Sequence, residues 1–155
     1  MPDNLIGVVV GSDYAEVVLL QQTGPNAFTV ADETTLSLQT GDRPPAYNVL
    51  HGQFCDYVQQ HDAVCVCIKQ TALSQRATRM VHLQAAELRG VVQAAAAASG
   101  VEVRLVNKAA VSRTFGGRKV DEYISDNAYW DRLGLSALKK GLREAAFVIV
   151  AEFAG

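Results

Sequence analysis

A chain of 155 residues has the usual length of one domain and can bury a full core without disulfides or a structural metal. With 49% hydrophobic and 19% charged residues it is too apolar to be disordered, and a formal net charge of −2 excludes nucleic-acid binding driven by global charge, leaving any such contact to a local basic patch. The three cysteines, Cys55, Cys65 and Cys67, form no Cys-x-x-Cys pair and read as core thiols; with no basic and then apolar leader, and a longest apolar run of only Ala145 to Ala151, they point to a reduced, cytoplasmic protein without a membrane span.

Leu5 to Val10 is a continuous, β-branched run, the pattern of a strand covered on both faces. Gly11-Ser12-Asp13 turns the chain straight into a second Val/Leu-rich strand, Glu16 to Gln21. A phosphate-cradling glycine loop needs a helix N-terminus behind it, whereas a strand follows here, so the GxxxGS stretch from Gly7 to Ser12 reads as a hairpin turn. After a turn at Thr23-Gly24-Pro25-Asn26, Phe28 to Leu38 alternates like an edge strand with one solvated face. The linker from Thr40 to Pro45 starts a helix on which Tyr47, Leu50, Phe54, Tyr57 and Val58 recur at helical spacing, ending near His61.

Ala63 to Ile68 is a short apolar run that predicts a buried strand, parallel and adjacent to Leu5 to Val10 at the sheet centre. Arg79 to Ser99 has helical period, and Val101 to Val106 supplies a fifth strand, parallel by the right-handed rule for strand, helix, strand units. Tyr123, Ile124, Tyr129, Trp130 and Leu133 then lie among Asp121, Glu122, Ser125, Asp126 and Asp131, the composition of an interface anchor set with a polar rim, which predicts a homodimer. Ser136 to Phe153 reads as a closing helix, buried because its centre is apolar all round. No repeat or long linker interrupts the chain, so residues 1–155 form a single domain.

The candidate acids are few. Glu87 lies on a helix between Leu83 and Val91, one turn from each, either aimed at the strand ends or bordering the core. Glu144 precedes the apolar centre of the closing helix, either as a site acid or as the partner of Lys140 one turn earlier. Arg104, Lys108, Arg113, Arg118 and Lys119 follow one another with no acid between them, around Phe115-Gly116-Gly117. Lys108, Arg113, Arg118 and Lys119 are therefore candidate phosphate contacts, against a plain solvated loop, since no aromatic run accompanies the charges. His51, His61 and His82 have neither HxH nor HExxH spacing, so no zinc site is expected.

This element order is that of the ribonuclease H-like fold, and particular residues sharpen the resemblance. Gly7-Val8-Val9-Val10-Gly11-Ser12 resembles the G-I-D-P-G-S first strand of the RuvC-type Holliday-junction resolvases, with Val9 at the Asp. Val66-Cys67-Ile68-Lys69-Gln70 is similar to the end of strand four, with Gln70 where that family places its Glu. The stretch from Cys67 to Val106 also resembles short uncharacterised bacterial proteins of the same fold, which carry an I-R-E-R-type motif where this chain has Ile68-Lys69-Gln70-Thr71. Arg143-Glu144-Ala145-Ala146-Phe147 resembles the D-A-A-D-A of the resolvases, so Glu144 keeps one acid and Phe147 replaces the other.

The resemblance implies an α/β domain with a mixed sheet of order 3-2-1-4-5, strand 2 antiparallel, flanked by helices. With Val9, Gln70 and Phe147 as degenerate catalytic positions, it implies a binding or scaffold module, associated with nucleic acid and needing no cofactor. The alternative is a nuclease that uses Mg²⁺ or Mn²⁺ at a carboxylate site rebuilt from Asp13, Glu87 and Glu144.

Overall fold

Strand register decides which side chains this sheet presents to each of its two helical layers. The computed structural model describes residues 2–70, 79–107 and 120–154. In chain order its elements are β1 (Asp3–Val10), β2 (Tyr14–Gly24), β3 (Ala27–Ser37), α1 (Arg43–Gln60), β4 (Cys65–Lys69), α2 (Met80–Ala98), β5 (Glu102–Val106), α3 (Val120–Ile124), α4 (Asn127–Leu133) and α5 (Lys140–Phe153). The sheet order is β3-β2-β1-β4-β5. β2 is antiparallel to both neighbours, and β4 runs parallel to β1 from Leu5↔Cys65 to Val8↔Ile68. The two continuously apolar runs are thus adjacent at the centre, while the alternating β3 lies at an edge, as their patterns predict. No helix among the described residues is long and apolar enough to cross a membrane.

Alternation divides the core in two. Ile6, Val8, Val10, Val17 and Leu19 meet α1 and α2 through Leu50, Phe54, Leu88, Val92 and Ala95. Leu5, Val18, Leu20, Cys65 and Cys67 face the other way, toward α3, α4 and α5. Both cysteines of the central strand are buried free thiols, consistent with the core role expected of them.

Two expectations are corrected on that second face. The closing helix begins at Lys140 rather than Ser136. Gly134 (φ +80°) ends α4 in the left-handed region, and the turn after it buries Leu135 and Leu138 before a helix can start. The aromatic set expected at a homodimer interface is largely core: Tyr123, Trp130 and Leu133 are buried, and Ile124 and Tyr129 pack against them. Short helices turn the apolar members inward and the intervening acids outward, so polar neighbours in sequence do not make a polar environment in space. Trp130 Nε1 donates to the Tyr123 carbonyl at 2.9 Å, which satisfies the indole inside this core.

Phe147 completes the cluster, its ring centroid 5.3 Å from Tyr123 and 6.1 Å from both Tyr129 and Trp130. Arg143 is 95% buried beside it and ties α5 to the short helices: its Nη1 donates to the Ile124 carbonyl and to Asn127 Oδ1, and its guanidinium lies over Trp130.

α5 rests on β1 at Gly7. A Cβ there would lie 2.0 Å from the Ala145 carbonyl oxygen and 2.9 Å from its carbon, so no side chain fits beneath the helix backbone. Gly7→Ala should lower stability by about 3 kcal/mol or more in urea unfolding, because backbone cannot give way as a side chain does. Gly52→Ala in α1, where an added Cβ meets nothing described within 4 Å, should instead gain about 0.5 to 1 kcal/mol. Equal effects of the two would show that α5 is not seated on Gly7. Phe147→Asp should cost about 4 kcal/mol or more and erase the near-ultraviolet aromatic signal; an unchanged unfolding midpoint would remove Phe147 from the core.

Candidate functional site

In open α/β sheets, ligands are held at the carboxyl ends of the parallel strands. At that end of β1 and β4 the register matches Gly7 with Cys67, so the next residues on the same face are Val9 and Lys69. Across the β1–β2 hairpin, Val9 pairs with Glu16. α5 lies over this corner, and the residue before the one that contacts Gly7 is Glu144. Four elements thus bring Val9, Glu16, Lys69 and Glu144 together.

Glu144 Oε1 forms an ion pair with Lys69 Nζ, both side chains about 30% exposed. Glu16 lies beneath the first turn of α5, with Oε1 3.8 Å from where a Cβ on Gly141 would stand. Burial, and then the negative charge of Glu144, raise the Glu16 carboxyl above its ordinary range. Tyr14, near the start of β2, is also raised, by burial first and then by Glu16, Asp13 and Glu144. The corner therefore holds two half-buried carboxylates, one of them, Glu144, paired with an ammonium, over a valine floor.

The other expected residues lie elsewhere. Gln70 is one residue beyond Lys69, exposed, with its backbone N–H donating to the Val106 carbonyl at 2.9 Å. Alternation directs it away from Glu144, so the strand-four side chain that meets Glu144 is Lys69. Asp13 is exposed in the β1–β2 turn, where its carbonyl accepts from Leu38 N–H at 2.7 Å. Glu87 is exposed on α2, on the opposite face of the sheet, in a shallow groove with Tyr47 and His51, and the Tyr47 hydroxyl donates to its Oε2 at 3.4 Å. Asp13, Glu87 and Glu144 do not assemble, and among the described residues no three His, Cys, Asp or Glu side chains could hold one metal ion.

Phe147 points into the aromatic core and not into the corner. Lys108, Arg113, Arg118 and Lys119 lie outside the described residues. Arg104, which leads that basic stretch, is engaged: Nε donates to Glu102 at 2.7 Å, Nη1 reaches Glu152 at 3.4 Å, and its guanidinium covers Phe153.

Sequence reasoning missed Lys69 and Glu16. The signal for Lys69 was its place as the first charge after an apolar strand, on the face shared by Cys65 and Cys67. The signal for Glu16 was an acid opening an otherwise apolar strand directly after a tight hairpin.

No family model matches the sequence, and no curated protein matches it. Solved structures do. A structure of Thermus thermophilus RuvC has a TM-score of 0.75 and 13% identity, covering 96% of this chain and 92% of that one. T. thermophilus RuvC in complex with a Holliday junction substrate has a TM-score of 0.73 and 12% identity, covering 96% and 91%. The yeast mitochondrial Holliday junction resolvase Ydc2 has a TM-score of 0.66 and 11% identity, covering 98% and 78%. At such identities the likeness is one of fold: the five-stranded mixed sheet, order 3-2-1-4-5 with antiparallel strand 2 and flanking helices, is that of the RuvC-like ribonuclease H domain.

Proposed function

We propose that this chain is a RuvC-like domain without nuclease chemistry, working as a binding or scaffold module. One observation carries the reading: the strand-end positions facing Glu144 are Val9 and Lys69. Two-metal hydrolysis holds two divalent ions about 3.5 to 4 Å apart, and carboxylates supply the oxygens and the charge that do so. Valine supplies neither. Lysine supplies the opposite charge, and the phenylalanine at 147 is committed to packing. The rival reading, a metal-dependent nuclease built on Asp13, Glu87 and Glu144, has less support because it requires Glu87 to act with Glu144 from across the sheet.

Nucleic-acid association belongs to the proposal because T. thermophilus RuvC, of the same fold, is bound to a Holliday junction substrate in one of the similar structures. Phosphates approaching the strand ends of this chain would meet Glu16 and Glu144 against one ammonium, which disfavours them. We therefore assign phosphate contact to Lys108, Arg113, Arg118 and Lys119.

Incubated with Mg²⁺ or Mn²⁺, the purified protein should leave RNA, duplex DNA and branched DNA intact. Metal-dependent cleavage that disappears in Glu87→Ala or Glu144→Ala would establish the rival reading. Any nucleic-acid binding should be weak, indifferent to sequence and strongly salt-dependent. Replacing Arg113, Arg118 and Lys119 by Ala should flatten the slope of log affinity against log salt by roughly 2 to 3. An unchanged slope would move the contact elsewhere, and no binding by the parent protein at low salt would end that part of the proposal.

A further inference from the structure

Lys69 is not explained by the loss of nuclease chemistry. A site can become inactive by losing acids, and nothing in that loss requires a cation among those that remain. Yet Lys69 extends from the end of β4 to pair with Glu144, on the face that also receives Glu16. Both side chains are about 30% exposed, and the pair joins the end of a central strand to the helix laid over it.

Two half-buried carboxylates facing one another are unfavourable unless positive charge lies against them. In a metal site a divalent ion supplies that charge. The donor set here does not fit one: Mg²⁺ and Mn²⁺ favour about six oxygens, and the corner offers two carboxylates, one of them already held by an ammonium that has no lone pair to donate. The floor residue, Val9, adds no oxygen.

We infer that the Lys69 ammonium is the resident cation of this corner, neutralising Glu144 from within the chain and so relieving its repulsion on Glu16 in place of a divalent ion, which makes the folded state independent of such ions. The inference rests on the degenerate reading and adds to it that the carboxylate corner is charge-balanced by a tethered group.

Thermal unfolding of the full chain, in EDTA and in millimolar Mn²⁺, tests it. The wild-type midpoint should be the same in both. Lys69→Met should melt several degrees lower in EDTA and recover part of that loss in Mn²⁺, because the uncovered carboxylates gain an exogenous cation. Lys69→Met combined with Glu144→Gln should recover in EDTA and ignore Mn²⁺, and Lys69→Arg should behave as wild type. A Lys69→Met protein as stable as wild type and indifferent to Mn²⁺ overturns the inference. So does a wild-type midpoint that rises with Mn²⁺ and no longer rises in Glu144→Gln. Should Lys69→Met fail to fold, the double variant decides: folded and silent to Mn²⁺ supports the tethered cation, and unfolded like the single variant overturns it. Wild-type cleavage would sink the degenerate reading, and none of these midpoints measures it.

Discussion

A helix can lay its backbone on a strand only where the strand lacks a side chain, and Gly7 gives α5 that place at the centre of the sheet. The contact fixes the rotation and height of α5. Ala145 sits on Gly7, Ile149 packs close beside the same glycine, and Arg143 and Phe147 are turned toward Trp130 and Tyr123. Glu144 is carried to the strand ends as a consequence. The geometry of the corner thus follows from a steric allowance two residues from Val9.

Once α5 is seated, register determines what Glu144 meets. The parallel pairing of β1 with β4 brings Lys69 level with Val9, and the antiparallel pairing with β2 brings Glu16 opposite it. Each is a face assignment set by the period of two along a strand, and a slip of one residue would exchange Lys69 for Gln70 and remove the ion pair. The close apolar fit of both sheet faces resists such a slip, since it would expose Cys65 and Cys67 to the wrong helical layer. Core packing therefore protects the charge arrangement, rather than the reverse.

Much of the topology was legible in the sequence because its strands differ in pattern. Continuous apolar runs at Leu5 to Val10 and Ala63 to Ile68 announce central strands, the second of which forms over Cys65–Lys69, and the alternation in β3 announces an edge. The corner was less legible. Likeness of residue types drew attention to Gln70, while the facing side chain depends on a parallel register that joins residues about 60 apart in the chain. Glu16 is opposite Val9 only through the hairpin register, which the composition of the turn does not specify. Tyr123 and Trp130 were misleading for a similar reason: their polar neighbours are local in sequence, whereas their burial comes from α5, a separate element later in the chain.

The magnitudes explain why such a corner can persist in a stable domain. A partly exposed ion pair contributes about 0 to 1 kcal/mol, so Lys69 and Glu144 are not what holds α5 in place. Packing of buried residues such as Phe147 and Trp130 contributes about 1.5 to 3 kcal/mol for each large apolar side chain and dominates. Two like charges close together near a protein surface repel by roughly 1 to 4 kcal/mol. An ammonium placed against one of two such carboxylates, as Lys69 is against Glu144, can offset an energy of that size. Val9 offers Glu16 and Glu144 no compensating charge, whereas the lysine two strands from Glu16 lies against Glu144 and offsets the acid it pairs with.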